Sequence, residues 1–98
     1  MDEITCILGK KIKFTNERYI HIVIRHPELE GREEDIIKTI TDSDFVQESS
    51  YDKNVLLYYR KFGNDYLAAV VKVLNDHGFI ITAYITDVIK TGVVVWKK

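Results

Sequence analysis

One segment of the sequence, residues 18–28, concentrates side chains that could bind a phosphate group and move a proton beside it. It reads Arg-Tyr-Ile-His-Ile-Val-Ile-Arg-His-Pro-Glu. On a helix, Arg18, His21 and Arg25 fall at i, i+3 and i+7 and therefore share one face. Guanidinium groups hold phosphate through charge-assisted hydrogen bonds, and their charges favour the neutral imidazole that a general base needs. The spacing alone fits either a phosphodiester site or a solvated polar face.

The second histidine of this segment, His26, admits two roles. It precedes Pro27, where a helix should end, so its ring could interact with the C-terminal end of the helix dipole or join a phosphate site. His21 and His26 are five positions apart, unlike the i, i+4 pair of a helical zinc site, and no cysteine lies near them. The five glycines form no phosphate-binding loop. We therefore expect neither a metal ion nor another cofactor.

Further candidates occur in the C-terminal half. The Tyr-Tyr-Arg sequence at 58–60 combines aromatic and basic side chains of the kind that bind bases, although such residues more often cover a sheet. Lys72 lies in an apolar stretch, where a lysine is commonly an edge or snorkelling residue. Alternation places Thr82 and Tyr84 on one face of a strand. Lys72 shares that face if a three-residue turn pairs it with Ile80, and lies opposite if the turn has four residues.

The helices that must position these side chains are predicted from capping and periodicity. Thr15 or Asn16 can cap a first helix that ends before Pro27, although the β-branched run at 20–24 would also suit a strand. The cap, the length and the proline favour the helix. A second helix is expected over 33–41, because acidic residues fill its first turn and its isoleucines form one apolar face.

The remaining apolar runs predict strands separated by short polar turns. Expected strands are 11–14 with 4–8 as its hairpin partner, then 45–48, 55–62, 66–74, 79–86 and a closing strand at 93–96. Turns this short allow only antiparallel neighbours. The pattern predicts an α+β fold, with N-terminal helices packed on a C-terminal antiparallel β-sheet, as one domain spanning 1–98.

Composition limits the class of protein. A chain of 98 residues with 46% hydrophobic and 30% charged residues is typical of a folded soluble domain. With Cys6 alone no intramolecular disulfide can form, and neither a signal-peptide pattern nor a membrane-length apolar run is present. We therefore expect a cytoplasmic protein without membrane contact. The net charge of −1 disfavours nucleic acid, but early lysines and arginines precede an acidic block at 42–52, so a local basic patch can form.

Taken together, these motifs resemble the phage-associated branch of the barnase–EndoU–colicin–RelE superfamily. The matching elements are H-x-x-x-R-H-P-E at 21–28, the Tyr-Tyr-Arg strand, the strand with Lys72 and the run F-I-I-T-A-Y at 79–84. The resemblance covers residues 12–96. It implies helices on a four-stranded antiparallel sheet and metal-independent cleavage of RNA, in some members as a toxin or phage-conflict protein. The implied partners are RNA and an acidic antitoxin or immunity protein laid over the basic helix face.

Carried onto matching positions, the resemblance implies a set of site residues. The catalytic candidates are His21, Arg25, His26, Arg60, Lys72 and Thr82, and the substrate-binding candidates are Arg18, Tyr59 and Tyr84. His21 would be general acid or base while the RNA 2′-hydroxyl attacks the adjacent phosphate, and the cations would stabilise the developing charge. The alternative is a catalytically inactive RNA- or protein-binding domain of the same fold. The nuclease hypothesis requires the helix and sheet residues to converge around one phosphate-sized space.

Overall fold

Two helices and one seven-stranded mixed sheet make up the α+β fold of the computed structural model, which describes residues 3–98. The helices are α1 (Asn16–Arg25) and α2 (Glu33–Thr41), and the strands are β1 (Glu3–Thr5), β2 (Lys11–Lys13), β3 (Phe45–Ser49), β4 (Val55–Phe62), β5 (Asp65–Val73), β6 (His77–Thr86) and β7 (Gly92–Lys97). Met1 and Asp2, which the single-domain prediction includes, lie outside the described residues. No helix within the described range is long and apolar enough to span a membrane.

Both helices form where the sequence predicts them, and α1 begins at a capping residue. The Thr15 hydroxyl accepts a hydrogen bond from the Arg18 backbone N–H at 3.1 Å and so satisfies one free donor at the start of α1. A short 3-10 turn, Pro27–Leu29, follows at the predicted stop. The helical alternative for the β-branched run therefore prevails, because the cap and the proline fix both ends of α1.

The sheet contains a parallel pair that the sequence analysis did not predict. Its strand order is β1-β2-β6-β5-β4-β3-β7, with antiparallel neighbours from β6 through β7 and an antiparallel β1–β2 hairpin. The hairpin joins β6 in parallel, from Lys11 opposite His77 to Lys13 opposite Phe79. The prediction of a wholly antiparallel, C-terminal sheet is wrong here. Parallel partners are distant in sequence, so no local turn signals their pairing.

A register shift between β5 and β6 places Lys72 on the same face as Thr82. Lys72 is opposite Phe79 rather than Ile80, while Val70 is opposite Thr82. One extra residue, Ile81, lies in β6 between these pairs, which is the arrangement of a β-bulge. Because the bulge accommodates this extra residue, Lys72 and Thr82 share a face even though Lys72 does not pair with Ile80.

The two faces of the sheet are covered differently. Both helices pack on one face, where the main core is buried: Ile22, Leu29, Ile36 and Ile40 against Tyr58, Leu67, Ala69 and Val71. Burial of each large aliphatic side chain stabilises the fold by about 1.5–3 kcal/mol. The opposite side, called the far face below, has a smaller cluster of Leu57, Tyr59 and Ala68, packed against Phe45, Tyr66, Val70 and Tyr84. No helical residue of the described chain belongs to this cluster, so loops and strand side chains shape the far face.

Gly78 lies where β6 passes between β2 and β5, opposite Ile12 and Val73. A Cβ atom there would lie 2.5 Å from the Lys72 carbonyl oxygen and 3.3 Å from Ile12 Cδ1. We therefore expect Gly78→Ala to lower the free energy of unfolding by about 1–3 kcal/mol, the usual effect of overpacking. Urea denaturation measures this, with the exposed Lys53→Ala as the control that should remain near wild type. An unchanged midpoint for Gly78→Ala would contradict the close approach.

Candidate functional site

A cleft opens between α1 and the edge of β6. Strand β2 pairs with β6 only as far as Phe79, and the chain then turns into α1, which lies beside the rest of β6. The cleft has a volume of about 420 Å³ and is lined by Arg18, His21, Ile22, Arg25 and His26 of the α1 segment with Ile81 and Thr82 of β6. This volume is within the usual range for small-ligand sites, roughly 300–1,000 Å³.

The helical side of the cleft follows directly from the spacing of its residues. Arg18, His21 and Arg25 share one face of α1, and all three line the cleft. The Arg18 guanidinium also donates a long hydrogen bond, 3.4 Å, to the carbonyl oxygen of Ile81 in the β-bulge. The bulge thus turns a backbone acceptor toward α1 and brings Thr82 to the opposite wall of the cleft.

His26 ends α1 and extends the site toward the far face. Its backbone N–H donates to the Ile22 carbonyl oxygen at 2.7 Å, and its Nδ1 lies 3.7 Å from Glu28 Oε2. Its ring centroid is 5.9 Å from that of Tyr84. The Lys90 ammonium lies 5.5 Å from the centre of the same tyrosine ring. Desolvation by burial raises the pKa of Tyr84.

Two predicted cations do not join the cleft. Arg60 Nη2 lies 3.8 Å from Asp42 Oδ2, and Lys72 Nζ lies 2.7 Å from Asp52 Oδ2. The hydrogen bond from Lys72 holds the pKa of Asp52 below its usual range. Neither cation lines the cleft, so the predicted convergence of His21 with Arg60 and Lys72 is wrong. The acidic block at 42–52 supplies both carboxylates, so its charges were the sequence signal for these two ion pairs.

Tyr59 is also displaced from its predicted role. Its ring is fully buried on the far face, stacked on Phe45 with centroids 4.8 Å apart. Burial raises the pKa of Tyr59, and its hydroxyl accepts a hydrogen bond from the Lys90 backbone N–H at 3.3 Å. The prediction that Tyr59 contacts substrate is therefore contradicted, because no base can stack on a ring that is already enclosed.

A second concavity, which the sequence analysis did not anticipate, lies on the far face. It has a volume of about 340 Å³ and is called the far-face hollow; its lining residues are Ser49, Ser50, Tyr51, Val55, Leu57, Val70, Lys90 and Thr91. The loop between β3 and β4 contributes Ser50 and Tyr51 to it, and the loop between β6 and β7 contributes Lys90 and Thr91. The signal available in the sequence was an aromatic residue, Tyr51, in an otherwise polar loop.

The chemical groups of the cleft are suited to an anion. Two guanidinium groups, two imidazoles and the Thr82 hydroxyl line it, and no carboxylate from residues 3–98 does. Among residues 3–98, no group of three or more His, Cys, Asp or Glu side chains could hold a metal ion. A phosphate could receive hydrogen bonds from Arg18 and Arg25, with an imidazole on each side to exchange protons.

No protein-family model, curated protein or solved structure matches this chain. Any functional assignment therefore rests on the residues that line the cleft and on their geometry.

Proposed function

We propose that this chain is a metal-independent endoribonuclease-like domain of the barnase–EndoU–colicin–RelE type. The observation that carries the proposal is the meeting of His21, His26, Arg18 and Arg25 with Thr82 in one cleft. Helices packed on one face of a sheet also agree with the resemblance in outline, although the sheet is seven-stranded and mixed rather than four-stranded and antiparallel. An acidic antitoxin or immunity protein is the protein partner that fits this proposal, because its carboxylates would neutralise the two arginines.

The proposed reaction needs two proton-transfer groups and a charge-stabilising pair. One imidazole, assigned to His21, takes the proton from the ribose 2′-hydroxyl while the 2′-oxygen forms a bond to the adjacent phosphorus. The bond from phosphorus to the 5′-oxygen breaks, and His26 donates a proton to that oxygen. Arg18 and Arg25 stabilise the charge that develops on the phosphate oxygens. The products are a 2′,3′-cyclic phosphate and a 5′-hydroxyl end.

The positions of two other cations favour a second candidate, an RNA-binding domain without turnover. Arg60 and Lys72 are engaged with carboxylates and lie outside the cleft, so the sheet contributes only Thr82 from the implied catalytic set. In this candidate the arginines of α1 hold the RNA backbone, and the histidines supply hydrogen bonds without proton transfer.

Incubation of the protein with single-stranded RNA in EDTA distinguishes the two candidates. Cleavage to 2′,3′-cyclic phosphate ends supports the nuclease, and the same sequence with 2′-O-methyl riboses should stay intact because its nucleophile is blocked. RNA that is bound yet intact from about pH 5 to 8, the range over which histidine changes charge, would support the binding domain. RNA that is neither bound at low salt nor cut would overturn both candidates.

A further inference from the structure

We infer that the far-face hollow is a nucleobase-binding subsite, which takes the base of a nucleotide next to the phosphate held in the cleft. The inference deepens the proposed function and rests on it for the position of that phosphate. It assigns a ligand, a single unpaired base, to residues that neither the sequence motifs nor the cleft includes.

The hollow has the composition that a base requires. Val55, Leu57 and Val70 contribute apolar surface, while Ser49, Ser50, Lys90 and Thr91 contribute polar groups. A nucleobase has two flat apolar faces and a polar edge. It can therefore bury one face against apolar side chains and form hydrogen bonds through its edge. The volume of about 340 Å³ is near the lower end of small-ligand sites, which suits one base better than a folded protein segment.

The hollow and the cleft are neighbours across a single strand pair. Val70 lines the hollow and is directly opposite Thr82, which lines the cleft. Paired strands lie about 4.7–4.9 Å apart, so the edges of the two sites at Val70 and Thr82 are about one strand spacing apart. Each site also has one residue close to the Tyr84 ring: His26 of the cleft and Lys90 of the hollow. A ribose attached to a phosphate in the cleft could therefore direct its own base into the hollow.

Tyr51 supplies the stacking surface of the hollow. Its side chain is 97% exposed although it is aromatic, so it gains almost nothing from packing within the described chain. Within its loop, the Tyr51 N–H donates a hydrogen bond to Ser49 Oγ at 3.1 Å. An exposed ring beside an apolar hollow can stack on a base, and aromatic stacking is tolerant of base identity.

Lys90 supplies positive charge at the same place. Its backbone N–H donates to the buried Tyr59 hydroxyl, which holds the 87–91 loop against the far face. No acidic side chain within salt-bridge distance of Lys90 occurs among residues 3–98, whereas Lys72 on the same sheet face is paired with Asp52. The Lys90 ammonium is thus free to meet the phosphate that links two nucleotides.

Titration of nucleotides into isotope-labelled protein, followed by backbone amide NMR, tests the subsite without relying on cleavage. The probes are the 5′-monophosphates of uridine, cytidine, adenosine and guanosine, with ribose 5-phosphate as the control that lacks a base. We expect shifts at Leu57, Val70 and Thr91 with the nucleotides and not with ribose 5-phosphate. Tyr51→Ala should weaken nucleotide affinity about tenfold, while Lys53→Ala from the same loop should leave it unchanged.

The outcomes separate this inference from the proposed nuclease. Shifts confined to the cleft and equal for nucleotide and ribose 5-phosphate would overturn the subsite, even if the protein cuts RNA. Base-dependent shifts in the hollow that Tyr51→Ala abolishes would support the subsite, even if RNA remains uncut and the nuclease proposal fails. Unchanged nucleotide affinity in Tyr51→Ala would remove the stacking role and overturn the inference as stated.

Discussion

His21→Ala is expected to lower the rate of RNA cleavage by about 10²–10⁴-fold, the usual contribution of a general acid or base. His21 lines the cleft from an exposed position on α1, so its truncation removes the imidazole without opening the core. The measurement is the single-turnover rate on a labelled single-stranded RNA in EDTA. Saturating protein separates the loss of proton transfer from any loss of binding.

The third histidine provides a matched control for this experiment. His77 is exposed at the start of β6, with Nδ1 3.1 Å from Asp76 Oδ1, and it does not line the cleft. His77→Ala should therefore cut RNA at nearly the wild-type rate. Equal rates for wild type and His21→Ala, with both proteins folded, would remove His21 from the reaction and favour the binding domain.

Local signals in the sequence were sufficient to predict the helices. Thr15 and Pro27 fix α1 through one cap and one steric stop, and these effects act within a few residues. The same locality explains why the three polar residues of α1 line one cleft. Residues at i, i+3 and i+7 share a helix face whatever the rest of the fold does, so Arg18, His21 and Arg25 had to lie together.

Contacts between distant segments could not be predicted in this way. The parallel pairing of β2 with β6 joins residues more than sixty positions apart, and no turn connects them. The extra residue Ile81 in β6 changes the partner of Lys72 by one position, and a bulge leaves no sequence mark of its own. Which carboxylate reaches Arg60 or Lys72 depends on these same long-range placements. Arg60 and Lys72 lie outside the cleft for that reason, whereas Thr82 of β6 lines it.

Arg18→Ala and Arg25→Ala should each weaken RNA binding by about 10–100-fold, whereas Arg60→Ala and Lys72→Ala should change it about twofold at most. A hydrogen bond to a charged group contributes about 1.5–3 kcal/mol, and only the first two cations line the cleft. Fluorescence anisotropy with a 2′-O-methyl RNA measures affinity without cleavage.

Salt dependence makes the comparison independent of overall charge. All four substitutions remove one positive charge, so a diffuse electrostatic attraction would weaken equally in each. A phosphate contact at Arg18 or Arg25 instead lowers the slope of log affinity against log salt by about 0.7 for a single strand. Arg60 and Lys72 are held by Asp42 and Asp52, and their removal should leave that slope unchanged. Equal slopes in all four variants would mean that RNA does not bind in the cleft, because only a site-specific contact distinguishes cations of the same charge.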